Sequence, residues 1–304
     1  MPSTTTVILG GGFGGIATAN TLRCLVPPEH AIVVVDRTPD FFVGAGKTWM
    51  MLGERSCAQI SRPRAELLTP GVRLVRGDVR RIDLPGHTVS VDEETLRWDQ
   101  LVVALGADLN MNAIPGLSGA AHTFYTPDGA TALHAELERF TGGEIVILLP
   151  RAPFKCPPAP YEAPPVVKAA HLTGPAGWIQ VDPLTLEVKS AATTGDVFAV
   201  GDVMTLPLPG RYKPDMPLVL PKAGVLAAEQ GAVVARRIAA KILGRAPEAV
   251  FDGRGYCYLE MGGGRAVRAA GAFFAVPQPV MEKHAPDELQ FRDKLAWVEK
   301  VLGR

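Results

Sequence analysis

The apolar positions of this chain come in short runs broken by turns, and the first of them sets the pattern. Val7-Ile8-Leu9 is too short for a helix and meets a glycine turn, Gly10-Gly11-Gly12-Phe13-Gly14-Gly15, after which Ile16 to Arg23 are mostly helix formers. Strand, tight turn, helix is the expected order. A second run, Ala31 to Val35, predicts a strand ending at Asp36, and residues 71–77 alternate as a strand does. Val79 to Val91 read as a small antiparallel excursion turning at Pro85-Gly86. Gln100 to Ala107 read as a buried strand ending in small residues, and Ile145 to Leu149 as another buried strand.

Further on, Trp178 to Pro183 is extended, and Val197 to Val200 forms a strand running into Gly201-Asp202. Lys222 to Leu243 carries a helical pattern that stops at Gly244. Gly255 to Glu260 and Ala270 to Phe274 read as hairpin strands around Gly262-Gly263-Gly264. Phe291, Leu295, Val298 and Leu302 make a last helical stripe with Trp297 beside it. Such a stripe packs on the protein or on a second copy more often than on a membrane surface.

The glycines carry the first chemistry. Gly10, Gly12 and Gly15 match GxGxxG: the first permits the turn, the second admits a pyrophosphate to backbone N–H groups, and the third lets helix and strand approach. A phosphate then sits at the positive helix end. Asp36 lies 21 residues beyond Gly15, where a carboxylate hydrogen-bonds an adenosine ribose. Small residues at Ala104-Leu105-Gly106-Ala107 let the backbone approach a ligand, or simply make a tight strand exit. Asp202, at the carboxyl edge of the sheet, is placed to accept hydrogen bonds from a ribityl chain, and Lys222 to bring positive potential to an anionic ring. Gly44-Ala45-Gly46-Lys47-Thr48 invites a phosphate-loop reading, but Phe41 stands where GxxxxGK[ST] needs its first glycine. A loop and short helix lining a flat cofactor, or plain core packing, fits the 41–53 segment better.

The 304 residues, 47% of them hydrophobic, suffice for one large domain or two modest ones. Thirty-one basic residues balance 31 acidic ones, so no electrostatic footprint for nucleic acid exists. The beginning of the chain lacks a secretory pattern and no run spans a bilayer, which makes cytoplasm the expected location. The cysteines, Cys24, Cys57, Cys156 and Cys257, are far apart and match no metal or CxxC pattern. Cys24 reads as core. Cys156 sits beside Lys155 in a proline-stiffened loop, 151–165, where it is either a presented, reactive thiol or a buried structural one.

Taken together, these segments resemble the two-dinucleotide-domain flavoproteins, and most closely the sulfide:quinone oxidoreductase and flavocytochrome c sulfide dehydrogenase group. The matching pieces are the GGGFGG turn, Asp36, Ala104 to Ala107, the string Cys156-Pro-Pro-Ala-Pro-Tyr-Glu162, Thr194 to Asp202, Pro221-Lys222 and Gly255-Tyr-Cys257-Tyr. The cysteine-proline string separates this group from the type II NADH dehydrogenases. The resemblance implies an α/β fold: a Rossmann-like FAD-binding domain in two parts, 1–144 and 166–246, a truncated second nucleotide-binding domain at 145–165, and a small C-terminal α+β interface region, 247–304. It implies FAD held by Gly10, Gly12, Phe13, Gly14, Gly15, Asp36, Arg37, Val79, Ala104, Gly106, Gly201, Asp202 and Lys222, with no metal.

The same resemblance implies that hydrosulfide attacks a sulfur bridge between Cys156 and Cys257, that electrons pass through the flavin to a quinone, and that Glu162 carries protons. Peripheral attachment to the inner membrane face and a homodimer go with it as expectations. One departure is large. About a domain's length is missing between the prolyl loop and Pro164-Pro165, so a second site for NADH is not expected and direct NADH oxidation is disfavoured. A flavin-binding paralogue without turnover is the alternative from another class, and an NADH:quinone oxidoreductase is a third.

Overall fold

The computed structural model describes residues 3–148 and 161–304. Its centre is a five-stranded, wholly parallel sheet. The strands are β1 (Thr5–Leu9), β2 (Ala31–Asp36), β3 (Val72–Arg76), β7 (Gln100–Val103) and β8 (Val197–Ala199), in the order β8-β7-β1-β2-β3. β1 lies in the middle, which is why Val7, Ile8 and Leu9 are wholly buried without polar alternation. Burying each such side chain stabilises by roughly 1.5–3 kcal/mol.

The excursion between β3 and β7 is a separate three-stranded antiparallel sheet: β4 (Val79–Asp83), β5 (Thr88–Val91) and β6 (Glu94–Arg97). Its first turn falls where Pro85-Gly86 predicts it. The third strand is an addition to the expected pair. A hairpin-based sheet closes the chain, β9 (Arg254–Gly262), β10 (Arg265–Ala272) and β11 (Val280–Lys283), with Gly262, Gly263 and Gly264 all at positive φ in the connecting turn.

Helix α1 (Phe13–Leu25) leaves the glycine turn and packs against the long helix α4 (Gly224–Ile242). Their approach is close because Gly231 has no side chain: a Cβ there would lie 2.3 Å from the Gly14 carbonyl oxygen. Between them in sequence come the short α2 (Lys47–Met51) and α3 (Pro127–Arg139), the latter capped by Thr126, whose hydroxyl accepts from Gly129 N. The last helix, α5 (Glu288–Val301), buries Val298 and, just beyond its end, Leu302. Both join Phe41, Val43, Trp49, Met50 and Ile60 in a second core. The C-terminal stripe is therefore packed on the protein itself. No helix of the described residues is long and apolar enough to cross a membrane.

Two expectations change. Residues 145–148 are no buried strand: Ile145, Val146, Ile147 and Leu148 are 60, 75, 82 and 53% exposed and irregular. An apolar, β-branched run becomes a strand only when neighbouring strands take its backbone hydrogen bonds, and here none of the described residues offers an edge to it. Cys24 is exposed rather than in the core, because it falls on the outer face of α1 while Thr18, Ala19 and Leu22 take the inner one.

The helix contact at Gly231 gives a direct check. Replacing Gly231 by Ala forces a methyl group onto the backbone of Gly14, an overpacking worth about 1–3 kcal/mol, and should lower the melting temperature by several degrees. An unchanged thermal melt would show that α1 and α4 are free to move apart.

Candidate functional site

The carboxyl ends of β1, β2, β7 and β8 open into one cavity of about 840 Å³. Three glycines shape its floor. Gly10 turns the chain at φ 99°, and a Cβ there would meet the Ala104 carbonyl oxygen at 2.3 Å. Gly15 packs the helix onto the turn, its missing Cβ only 1.9 Å from the Gly10 oxygen. Gly12 has nothing within 4 Å of its Cβ position and lines the cavity. The turn thus presents bare backbone to open space at the amino end of α1.

Asp36, at the end of β2, is heavily engaged. One carboxylate oxygen accepts from Gly11 N at 2.8 Å; the other accepts from Thr38 N and Thr38 Oγ1, both at 2.9 Å, and pairs with Arg64 Nη2 at 3.1 Å. The Arg64 side chain is 5% exposed, and burial holds its pKa below the usual arginine value against the pull of Asp36 and Asp40. Its Nε and Nη1 are buried with no hydrogen-bond partner among the described residues. Two donors left idle at a cavity wall mark a place built for an acceptor.

On the opposite wall the chain leaves β8 at Val200. Gly201 N donates to Oε1 of the buried Gln230 at 2.8 Å, which ties this exit to α4. Lys222, two residues before α4, donates to the carbonyl oxygens of Asp202 and Met204 and stands over the Trp178 ring. Its charge is held at the cavity rather than swung into water. Phe13 opens α1 from between two aromatic rings, edge-on to Phe41 at 5.0 Å and stacked on Trp297 of α5 at 5.9 Å. Tyr256, Cys257 and Tyr258 of β9 close the far end, with Cys257 half-buried and paired in register with Ala269. Burial beside Tyr258 raises the Tyr256 pKa above the ordinary phenol value.

The cavity is lined by Gly10, Gly12, Phe13, Gly14, Asp36, Arg37, Val79, Ala104, Gly106, Gly201, Asp202, Lys222 and Cys257 of the residues expected from sequence. Two expected residues are not on its wall. Gly15 serves the packing of α1, and Glu162 lies outside, in a short strand, Tyr161–Glu162, paired with Asp108–Leu109 and joined to Lys168 by a salt bridge. Cys156 lies outside the described residues. Phe41, Phe42, Gly44, Ala45 and Lys47 of the 41–53 segment also line the cavity, as its reading as a loop and short helix beside a ligand allows. Arg64, Lys294 and Trp297 line it too and were missed; the last two depend on how the C-terminal helix folds back.

A protein-family model described as pyridine nucleotide-disulphide oxidoreductase matches residues 4–148, and one described as the central part of the sulfide dehydrogenase [flavocytochrome c] flavoprotein chain matches 130–196. Over residues 4–148 the chain is similar to the pyridine nucleotide-disulphide oxidoreductases. Demethylphylloquinone reductase NdbB of Synechocystis is 34% identical over 142 residues, 43% of this chain and 35% of that protein. Sulfide-quinone reductase of Aquifex aeolicus is 34% identical over 109 residues, 35% of this chain and 25% of that protein. The chain thus spans about a third or less of the length of these relatives. Among solved structures, the sulfide:quinone oxidoreductase of Aquifex aeolicus superposes with a TM-score of 0.79 at 16% identity, covering 99% of this chain and 92% of that one. NDH2 of Plasmodium falciparum superposes with a TM-score of 0.69 at 11% identity, covering 99% and 95%. These two likenesses establish the fold.

Members of this family are FAD-binding flavoproteins, and the cavity fits that cofactor. Bare backbone at Gly12, idle donors on Arg64 and a volume within the range of cofactor sites all suit a dinucleotide. The glycines separate two roles that substitution can tell apart. Gly12→Ala should leave the flavin-free chain's melting temperature nearly unchanged yet weaken FAD binding, whereas Gly15→Ala should lower stability with or without FAD. Equal thermal effects from the two variants would show that the cavity does not open at Gly12.

Proposed function

We propose that this chain is an FAD-dependent oxidoreductase that takes two electrons from sulfide through Cys156 and Cys257 and delivers them to a quinone. The observation that carries the reading is Cys257 on the wall of a cavity that also holds a dinucleotide turn. The family-model match over 130–196 supports the sulfide side, and the quinone-reductase names of the relatives support the acceptor. Gly10, Gly12, Phe13, Gly14 and Asp202 would hold FAD along the sheet edge, with Lys222 near the ring. When bound, FAD supplies the two-electron step between the sulfur donor and the acceptor.

The residues of the chain have plainer tasks. A cavity-facing thiol on a hydrogen-bonded strand is held still, so Cys257 would present its sulfur in one orientation. In the proposed chemistry hydrosulfide attacks one sulfur of a Cys156–Cys257 bridge; the S–S bond breaks, a persulfide forms on one cysteine and the other leaves as thiolate. Two electrons and the proton of hydrosulfide then have to leave the site, and Glu162, joined to Lys168, is the proposed proton carrier. We take residues 145–165 to be what remains of a second nucleotide-binding domain, flanked by FAD-binding parts at 1–144 and 166–246 and followed by an interface region at 247–304. Contact with a membrane surface, where a lipid-soluble quinone is found, belongs to the same proposal.

The NAD(P)H-quinone oxidoreductase of Arabidopsis thaliana, 31% identical over 150 residues, favours a second reading in which a nicotinamide nucleotide is the donor. The single GxGxxG turn in the sequence weighs against it. Anaerobic flavin bleaching decides. Sulfide should bleach the holoprotein and NADH should not, and Cys156→Ser or Cys257→Ser should slow bleaching by about 100-fold or more while Cys24→Ser, on the outer face of α1, leaves it unchanged. Bleaching at the wild-type rate in both serine variants would sink the cysteine assignment; stoichiometric bleaching by NADH would replace the donor.

A further inference from the structure

Arg64 reaches the cavity from a short 3₁₀ segment, Arg64–Leu67, and its stem lies across the glycine turn: Cδ and Nε stand 2.3 and 2.5 Å from where a Gly11 Cβ would be. Among the described residues only Nη2 is engaged, donating to Thr38 Oγ1 at 3.0 Å and pairing with Asp36. Asp36 cannot serve the other two nitrogens, because its oxygens already take Gly11 N, Thr38 N, Thr38 Oγ1 and Nη2. If the only task of Arg64 were to brace Asp36, a donor with fewer N–H groups would do so without leaving Nε and Nη1 buried and unpaired. Arginine does not escape this by losing its proton, and its planar fork matches phosphate oxygens in pairs.

We propose that Arg64 is a ligand-binding and specificity residue of this cavity, donating Nε–H and Nη1–H to a phosphate of the adenosine diphosphate half of the dinucleotide. The inference rests on the FAD reading and adds to it a means of selection. Riboflavin, which carries no phosphate, gains nothing from Arg64, so the residue favours FAD over riboflavin. It also gives the turn a fixed positive charge beside the backbone N–H groups, where a helix end alone supplies a partial one.

The test is competitive binding to the deflavinated full-length chain, with FAD, ADP and adenosine as probes. Arg64→Met keeps the apolar stem and removes the fork. It should weaken FAD and ADP binding by about 10- to 100-fold, the loss expected for charge-assisted hydrogen bonds, while adenosine binding stays within about twofold. The melting temperature of the flavin-free variant should fall, since Asp36 loses its cation, so the reading comes from the contrast between ADP and adenosine rather than from stability. Equal losses for ADP and adenosine, or an unchanged FAD affinity, would overturn the proposal and leave Arg64 as a brace for Asp36. Arg64→Gln, which retains a donor for Asp36, carries the same comparison if the Met variant does not fold, with the same outcomes for and against. Failure of the wild-type chain itself to bind FAD would instead strike the FAD reading.

Discussion

Backbone packed directly against backbone at the glycine turn is the constraint on which the rest of the structure depends. Gly15 sets α1 on the Gly10 carbonyl, Gly14 lies against the Ala227 carbonyl of α4, and Gly231 of α4 sits on the Gly14 carbonyl. Each contact brings main chain to within a distance that any side chain would prevent. As a result the amino end of α1, the exits of β7 and β8 and the start of α4 meet at one edge of the sheet. Ala104, Gly106, Gly201 and Asp202 gain their place on the cavity wall from this convergence. In an open parallel sheet that edge is where ligands bind, and here glycine spacing fixes how closely one can approach.

Charge is arranged on this frame by neutral packing and by a few buried or tethered ions. Asp36 gathers the turn, the Thr38 loop and Arg64 into one hydrogen-bonded knot. Lys222 is tied to the carbonyls that follow β8, and Lys294 of α5 is joined to Glu260 of β9 with Trp49 donating its indole N–H to the same carboxylate. Cations therefore enter the cavity wall from several parts of the chain, Arg37, Lys47 and Arg80 among them, a distribution suited to an anionic ligand lying along the edge. The C-terminal helix belongs to this arrangement: Trp297 stacks on Phe13, the Arg62 guanidinium donates to the Leu302 carbonyl oxygen, and the Arg304 guanidinium donates to that of Ala58.

The parallel sheet, the glycine turn and the part of the cavity wall that these form were legible in the sequence because each depends on local spacing. Val7 to Leu9 and Ala31 to Val35 are strands buried on both faces, and such strands announce themselves as unbroken apolar runs. Arg64, Lys294 and Trp297 were not legible. Their place follows from chain returning to the turn across long sequence separations, and no periodicity encodes a return. Cys24 was misjudged for a related reason: a cysteine among apolar neighbours on a helix is buried or exposed according to which 100° sector it occupies, and α1 buries the sector of Thr18 and Leu22.

The run from Ile145 to Leu148 shows where the same kind of reasoning fails. Its composition is that of β1 or β2, yet it is exposed and irregular, because a strand is a property of a pair and its pattern alone cannot supply the neighbour. The flanks of this run connect α3 to the prolyl loop, the segment proposed above as what remains of a second nucleotide-binding domain. Among the described residues no strand pairs with it, so its apolar side chains stay exposed. The cavity at the first sheet edge is intact by contrast, with Cys257 fixed on a strand whose neighbours are all present. The retained cavity therefore gathers the glycine turn, the exits of β7 and β8 and the C-terminal sheet at one edge, with Cys257 on its wall.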